Sequence, residues 1–349
     1  MKRPFFLFVL FLFHLQLSAQ PYPFQDTRLT EEERLDNLIS LMTKEEKVSC
    51  LSTRLSVPRL GIRGTRTVEG LHGLALSGPA NWAVKGKGAS PTTTFPQAIG
   101  LAQMWDPEMM TQIASLEAEE ARFLAQNPRY GSAGLIVFAP NADLGRDIRW
   151  GRTEECFGED AFLAASLTTA FVKGLQGDHP KYWKTASLMK HFLANSNENN
   201  RTVNSSDFDE QLFREYYGYA FYKGITKGGS RAYMAAYNKY NGIPCTVHPV
   251  LTNTTVNEWG QNGIIATDGG AFRLLLTAHQ YYPDLTVAAA ACINAGITMF
   301  LDNYREPLNK ALETGLISEK DIDRAVRGNL RVMLRLGLLD QSPENPYSA

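Results

Sequence analysis

The chain has 349 residues, a formal net charge of −1 and 44% hydrophobic residues. That is ample material for a core, and the lack of any basic block argues against nucleic acid or an anionic membrane surface as a partner. Its cysteines, at 50, 156, 245 and 292, form no CxxC pair and no His/Cys cluster with zinc spacing, so no metal site and no disulfide framework is expected.

In chain order, the first 19 residues read as a cleaved export signal. Lys2 and Arg3 lead an apolar run over 5–15, and Leu17-Ser18-Ala19 supplies a small-residue cleavage site. The run is shorter than the roughly 18 to 20 residues that span a bilayer. A membrane anchor is therefore not expected, and the mature protein is expected to be periplasmic or secreted. What remains, 349 minus 19 or 330 residues, is an ordinary size for one (β/α)8 barrel.

Thr30-Glu31-Glu32-Glu33 and Thr43-Lys44-Glu45-Glu46 are capping boxes that open helices. Residues 76–94, rich in Gly, Ser, Pro and Thr, read as a long surface loop. Asp106-Pro107 starts a helix that runs to about residue 125. Strands are then predicted at 134–139, 185–192, 231–237, 264–267 and 295–301. Helices are predicted at about 159–174, 209–225, 271–280 and 318–336. This alternation predicts a parallel α/β fold. Polar residues follow nearly every strand: Asn141 and Asp143, Lys190 and His191, Tyr237 and Asn238, Asp268, Asp302. In an open sheet or a barrel that edge is the active face.

Asp268 ends the apolar run Gly263-Ile264-Ile265-Ala266-Thr267 and precedes Gly269-Gly270. A carboxylate at a strand end, beside glycines that let a ligand approach, is placed for chemistry. The same residue type is a favoured N-cap, so a plain cap of the helix at 271–280 explains it equally well. Lys190-His191-Phe192, with Asn195, Glu198 and Arg201 beyond, gathers donors able to grip sugar hydroxyls. The stretch from Asn141 to Asp160 holds three arginines, several carboxylates and Trp150. Most of it reads as a salt-bridged loop, with Arg152 the best placed to face a ligand. Glu69, in Glu69-Gly70-Leu71-His72-Gly73, is a weaker candidate of the same kind. A Schiff-base aldolase built on Lys190 leaves these neighbouring motifs unexplained.

Taken together and in order, the motifs resemble glycoside hydrolase family 3, the bacterial β-glucosidase and β-xylosidase group. They are Met42-Thr43-Lys44-Glu45-Glu46-Lys47, Glu69-Gly70-Leu71-His72-Gly73, Thr94-Phe95-Pro96, and Arg146-Asp147-Ile148-Arg149-Trp150-Gly151-Arg152 with Gly158-Glu159-Asp160. Lys190-His191-Phe192, Met234-Ala235-Ala236-Tyr237-Asn238, Asn241-Gly242-Ile243-Pro244 and Thr267-Asp268 follow. The resemblance implies a single (β/α)8 barrel over 20–340 with a linker-like tail at 341–349, acting on β-linked glucoside or xyloside oligosaccharides without a cofactor. It implies that Asp268 is the nucleophile of a retaining β-glycosidase. Glu69, Arg152, Lys190 and His191 would hold the sugar, Arg201 and Met234 would form its walls, and Tyr237 would orient the nucleophile. Such an enzyme needs an ionised nucleophile, which pocket cations are expected to favour, and a second carboxyl about 5 to 5.5 Å away.

The chain departs from the family pattern in three ways. Thr267-Asp268-Gly269 stands where the family often has Ser-Asp-Trp or Ser-Asp-Cys, which should widen the subsite. Leu193-Ala194-Asn195 replaces the Pro-Gly-His-Gly loop of the family's N-acetylglucosaminidases and disfavours that branch. No residue is recognisable as the general acid/base, which the two-domain members take from a following domain. Glu154, Glu155 and Glu198 are the weak substitutes within the chain. A second domain or chain is thus expected to supply the acid. The alternative is a sugar-binding fragment impaired in turnover.

Overall fold

The computed structural model describes residues 22–76, 92–127, 134–340 and 345–347. The signal expected at 1–19 lies outside the described residues, as do most of the expected loop at 76–94 and of the tail at 341–349.

Both capping boxes form. Thr30 caps α1 (Glu31–Leu41), whose N3 residue Glu33 reaches back to the Thr30 N–H (2.8 Å). Thr43 and Glu46 do the same for α2 (Lys44–Ser49). An antiparallel pair follows, β1 (Arg54–Val57) and β2 (Ile62–Glu69). Next come α3 (Ala98–Ala102) and α4 (Pro107–Gln126), the latter capped by Asp106 with Pro107 at its first position.

From there strands and helices alternate, through β3 (Ile136–Phe138), α5 (Ala161–Gln176) and β4 (Ala186–Phe192). The helix expected at 209–225 is broken into α6 (Glu210–Leu212), a wider π-type turn over Phe213–Tyr217, and α7 (Tyr219–Thr226). The wider turn buries both Phe213 and Tyr217.

β6 (Ala232–Ala235) and β9 (Ile264–Thr267) complete the main sheet. A small outlying sheet is built from β5 (Ser205–Ser206), β7 (Lys239–Tyr240) and β8 (Ile243–Pro244). The chain then runs through α8 (Ala271–Thr277), α9 (Leu285–Ala295), α10 (Arg305–Glu313) and α11 (Glu319–Arg335).

Among the described residues the main sheet has six strands in the order β1-β2-β3-β4-β6-β9. β2, β3, β4, β6 and β9 run parallel, and only β1 is antiparallel. Of the expected eight-stranded barrel, the described residues form a curled mixed sheet with helices packed on it, an α/β half-barrel. The predicted strand at 295–301 is reduced to isolated bridges, Met299 to Ala266 and Phe300 to Ser52. These carry pairing from the β9 edge round to the segment leading into β1. Asn329 of α11 stitches the same place, its side-chain amide donating to the carbonyls of Cys50 (2.7 Å) and Thr298 (2.6 Å).

β4, β6 and β9 are buried along their whole length, as parallel strands covered on both faces should be. All four cysteines are buried too. The C-terminal ends of β4, β6 and β9 bring Lys190, His191, Tyr237 and Asp268 to one edge of the sheet. No helix among the described residues is long and apolar enough to cross a membrane.

Candidate active site

β9 ends in Asp268, which is 8% exposed. The carboxylate does not cap α8. One oxygen, Oδ1, accepts from the adjacent Gly269 N–H (2.6 Å). The other, Oδ2, is buried and has no hydrogen-bond partner among the described residues. The first turn of α8 is capped from elsewhere: Asp302 accepts from the Gly270 N–H and from the Arg273 N–H (3.0 Å). Gly270 stands at φ 83°, a left-handed conformation that glycine adopts without a steric cost.

His191 points Nε2 at Asp268 Oδ2 across 3.7 Å, and its Nδ1 lies 3.7 Å from Asp143 Oδ2. Burial, with the charges of Arg152, Lys190 and Arg201, holds the imidazole well below its usual pKa, so it is neutral at pH 7. Asp143, in the loop after β3, fixes the strand end that carries His191. Its carboxylate accepts the backbone N–H of His191 (3.1 Å) and of Asn195 (3.2 Å), and burial pushes its pKa up to about 7.

Each predicted cation is already engaged. Lys190 Nζ lies 2.6 Å from Glu69 Oε2, which joins two of the expected sugar ligands to each other. Arg152 forms a two-pronged bond to Glu155 (2.8 and 2.6 Å). Arg201 pairs with Glu198 (2.8 Å) and lies over the Tyr237 ring at 4.6 Å. Lys190 and Arg152 still act on Asp268 and favour its ionised form, together with the Gly269 N–H and the Tyr237 hydroxyl. Burial outweighs them and raises its pKa to about 6. This corrects the expectation of a low value: with their own carboxylate partners, the cations leave a smaller field at Asp268 than their number suggests.

Tyr237 donates its hydroxyl to the Gly269 carbonyl (2.6 Å), and so braces the residue after Asp268. His279 holds Tyr237 in turn, through Nε2 and the Tyr237 carbonyl (2.9 Å). Met234 pairs in register with Ala266 and is 2% exposed, which leaves it little surface to offer a ligand. A side chain grown from Gly269 would meet only the Tyr237 hydroxyl, at 3.7 Å, so the space beside the carboxylate is open there.

The weak candidates for a second acid do not fit that role. Glu155 is held below its usual pKa despite burial, by its bond to Arg152. Glu198 is bound to Arg201, and Glu154 is exposed. No group of three metal-ligating side chains is present among the described residues. The sequence placed Asp143 and Asp302 at strand ends and Glu155 among the weak acid candidates without showing what any of them binds, and it gave no sign of His279.

The sequence model of the glycosyl hydrolase family 3 N terminal domain matches residues 64–332. The chain is 33% identical to a probable β-D-xylosidase 7 of Arabidopsis thaliana over 99% of its own length and 48% of that protein. It is 30% identical to a xylan 1,4-β-xylosidase of Xylanibacter ruminicola, over all of this chain and 42% of that protein. Among solved structures, an exo-β-xylosidase (XlnD) in complex with a xylobiose aziridine probe superposes with a TM-score of 0.82 at 28% identity, covering 93% of this chain and 43% of that one. A β-glucosidase of Bifidobacterium adolescentis superposes with a TM-score of 0.71 at 26% identity, covering 89% and 41%. The chain spans about half the length of the curated relatives it matches.

Proposed function

This chain belongs to glycosyl hydrolase family 3, and we propose that it carries the sugar-binding and nucleophile half of a retaining, exo-acting β-xylosidase or β-glucosidase. The observation that carries this reading is the Asp268 carboxylate: buried, at a strand end, with Oδ2 unpartnered and a neutral His191 beside it. Such an oxygen is free to attack an anomeric carbon. Glu69, Arg152, Lys190 and His191 hold the sugar hydroxyls; Arg201 shapes the wall, and Tyr237 orients the nucleophile through its bond to the Gly269 carbonyl. A pKa near 6 leaves Asp268 mostly ionised at pH 7.

In the first half of the reaction Asp268 Oδ2 bonds to the anomeric carbon while the bond to the leaving group breaks. The leaving oxygen takes its electron pair and needs a proton. A carboxyl outside the described residues, on a second domain or chain, supplies it. The substrates are β-linked xylosides or glucosides, and the protein works after export, in the periplasm or outside the cell.

The pairing of Glu155 and Glu198 with arginines favours one second reading, a sugar-binding unit with a competent nucleophile but impaired turnover. One experiment addresses both. A 2-deoxy-2-fluoro-β-xylosyl or -glucosyl fluoride carries a leaving group that needs no proton. Mass spectrometry of the labelled protein should find one sugar on the peptide containing Asp268, and none in Asp268→Ala. Absence of label on both fluorides, alongside calorimetric binding of xylose or glucose, would favour the binding unit.

A further inference from the structure

We propose that Asp302 is a positioning residue for the nucleophile: it takes over the cap of α8 and so leaves the Asp268 carboxylate free for the sugar. The inference rests on Asp268 being the nucleophile, as proposed above.

A helix start exposes backbone N–H groups that seek an acceptor, and aspartate is among the preferred side chains for the task. Asp268 lies two residues ahead of Gly270, the residue that opens α8 (Ala271–Thr277). It is the acidic side chain nearest in sequence to those donors. Left to local preference, it would turn toward the helix and spend both oxygens there. The structure gives the work to a residue 34 positions further on. Asp302 follows the bridged segment at Met299 and Phe300, and its two oxygens take the N–H groups of Gly270 and Arg273. Gly270 has no side chain with which to compete, and its left-handed φ turns the chain away from Asp268 before the helix begins.

A second observation points the same way. Asp268 takes no N–H of α8: it accepts from the adjacent Gly269 N–H with the Tyr237 hydroxyl close by, and its Oδ2, buried without a hydrogen-bond partner among the described residues, faces His191. A buried carboxylate oxygen is normally bonded. This one stays open because the donors that would satisfy it are already taken. Removing Asp302 releases two N–H groups within reach of the segment that carries Asp268. The carboxylate then has an alternative to attack, while Glu69, Lys190, Arg152 and His191, on β2, β4 and the loop at 141–160, keep their places.

The test is the rate and concentration dependence of labelling by the 2-fluoro glycosyl fluoride in the full chain. As Asp268 Oδ2 bonds to the anomeric carbon, the C–F bond breaks and fluoride leaves with the electron pair, so no proton donor enters the measurement. Asp302→Ala should lower the maximal labelling rate by roughly 10²-fold, the scale of a misplaced reacting group. The half-saturating concentration should stay within about twofold, because the sugar ligands are untouched. Asp302→Asn keeps one carbonyl acceptor of the same size and should fall between the two. It also decides the matter if the alanine variant does not fold. A maximal rate in Asp302→Asn equal to wild type, or a rate loss in either variant matched by an equal loss of affinity, overturns the proposal. A wild-type protein that takes no label overturns the nucleophile reading itself, a different result.

Discussion

The strand ends around Asp268 and the contact between α1 and α11 treat charge in opposite ways. At the strand ends, buried polar atoms stand without partners among the described residues: Asp268 Oδ2, His191 Nδ1 and both polar side-chain atoms of Asn195. Where α1 meets α11, charges are matched. Arg331 bonds Glu31 and Glu32, Arg327 bonds Glu32 and Asp36, and Arg34 bonds the Phe24 carbonyl and Asp340. Each unmade buried bond costs about 1 to 3 kcal/mol. The open atoms near Asp268 therefore carry a cost that the matched charges between α1 and α11 do not, and mutations should separate the two regions cleanly.

The largest effect is expected at the open end. Asp268→Ala should abolish covalent labelling and cut any hydrolysis of an aryl glycoside by on the order of 10⁴-fold, with the melting temperature held or raised. Equal slow release by wild type and variant breaks the comparison, because Asp268 would then be no different from a frame residue.

Next comes the frame. Arg34→Leu takes the cation from the buried Asp340 carboxylate, whose side chain is 0% exposed and which keeps only the neutral Tyr182 hydroxyl (2.8 Å) among its described side-chain donors. It should lose about 3 to 5 kcal/mol in urea unfolding. The folded fraction should label at the wild-type rate.

Third is a pH window. The folded pKa of Asp268, about 6, lies above an unfolded value near 3.9. The native state therefore holds the proton more tightly. The stabilisation it brings is complete below about pH 4 and is lost as pH rises to 6, an amount near 3 kcal/mol. Asp268→Asn has no such proton. The stability of wild type minus that of the variant should fall by that amount between pH 4 and 6. A flat difference would mean that the carboxylate is not desolvated.

The smallest effect is local. Thr30→Ala breaks the α1 capping box and should cost about 1 kcal/mol, with labelling unchanged.

Sequence reading located most of what is local. Thr30 with Glu33, Thr43 with Glu46, and Asp106 with Pro107 each act within four residues, and each element starts where its cap is written. The run of motifs also brought Glu69, Arg152, Lys190, His191 and Asp268 forward as candidates. What it could not show is partnership across the chain. Nothing near Asp302 says that it serves Gly270, and nothing near Arg152 says whether Glu155 neutralises it or acts alone. The β1–β2 pair escaped notice because Arg63, Thr65, Arg66 and Thr67 give no apolar alternation. Among the described residues the eighth strand is incomplete for a related reason. The segment at 295–301 has a strand's composition, but only Met299 and Phe300 form bridges.

The amide of Asn329 gives the seam of the sheet a place in time. It ties Cys50 to Thr298, joining an early part of the polypeptide to a late one through a helix later still. A ribosome adds about 5 to 20 residues each second. The strands from β2 to β9 therefore wait many seconds, with one edge unmated, before the residue that sutures them emerges. Closure of the sheet's seam is in this sense post-dated: the two bonds from Asn329 beneath Asp268 and Asp302 can form only after α11 has left the exit tunnel. Until then the nascent chain carries an adhesive border that a chaperone could shield.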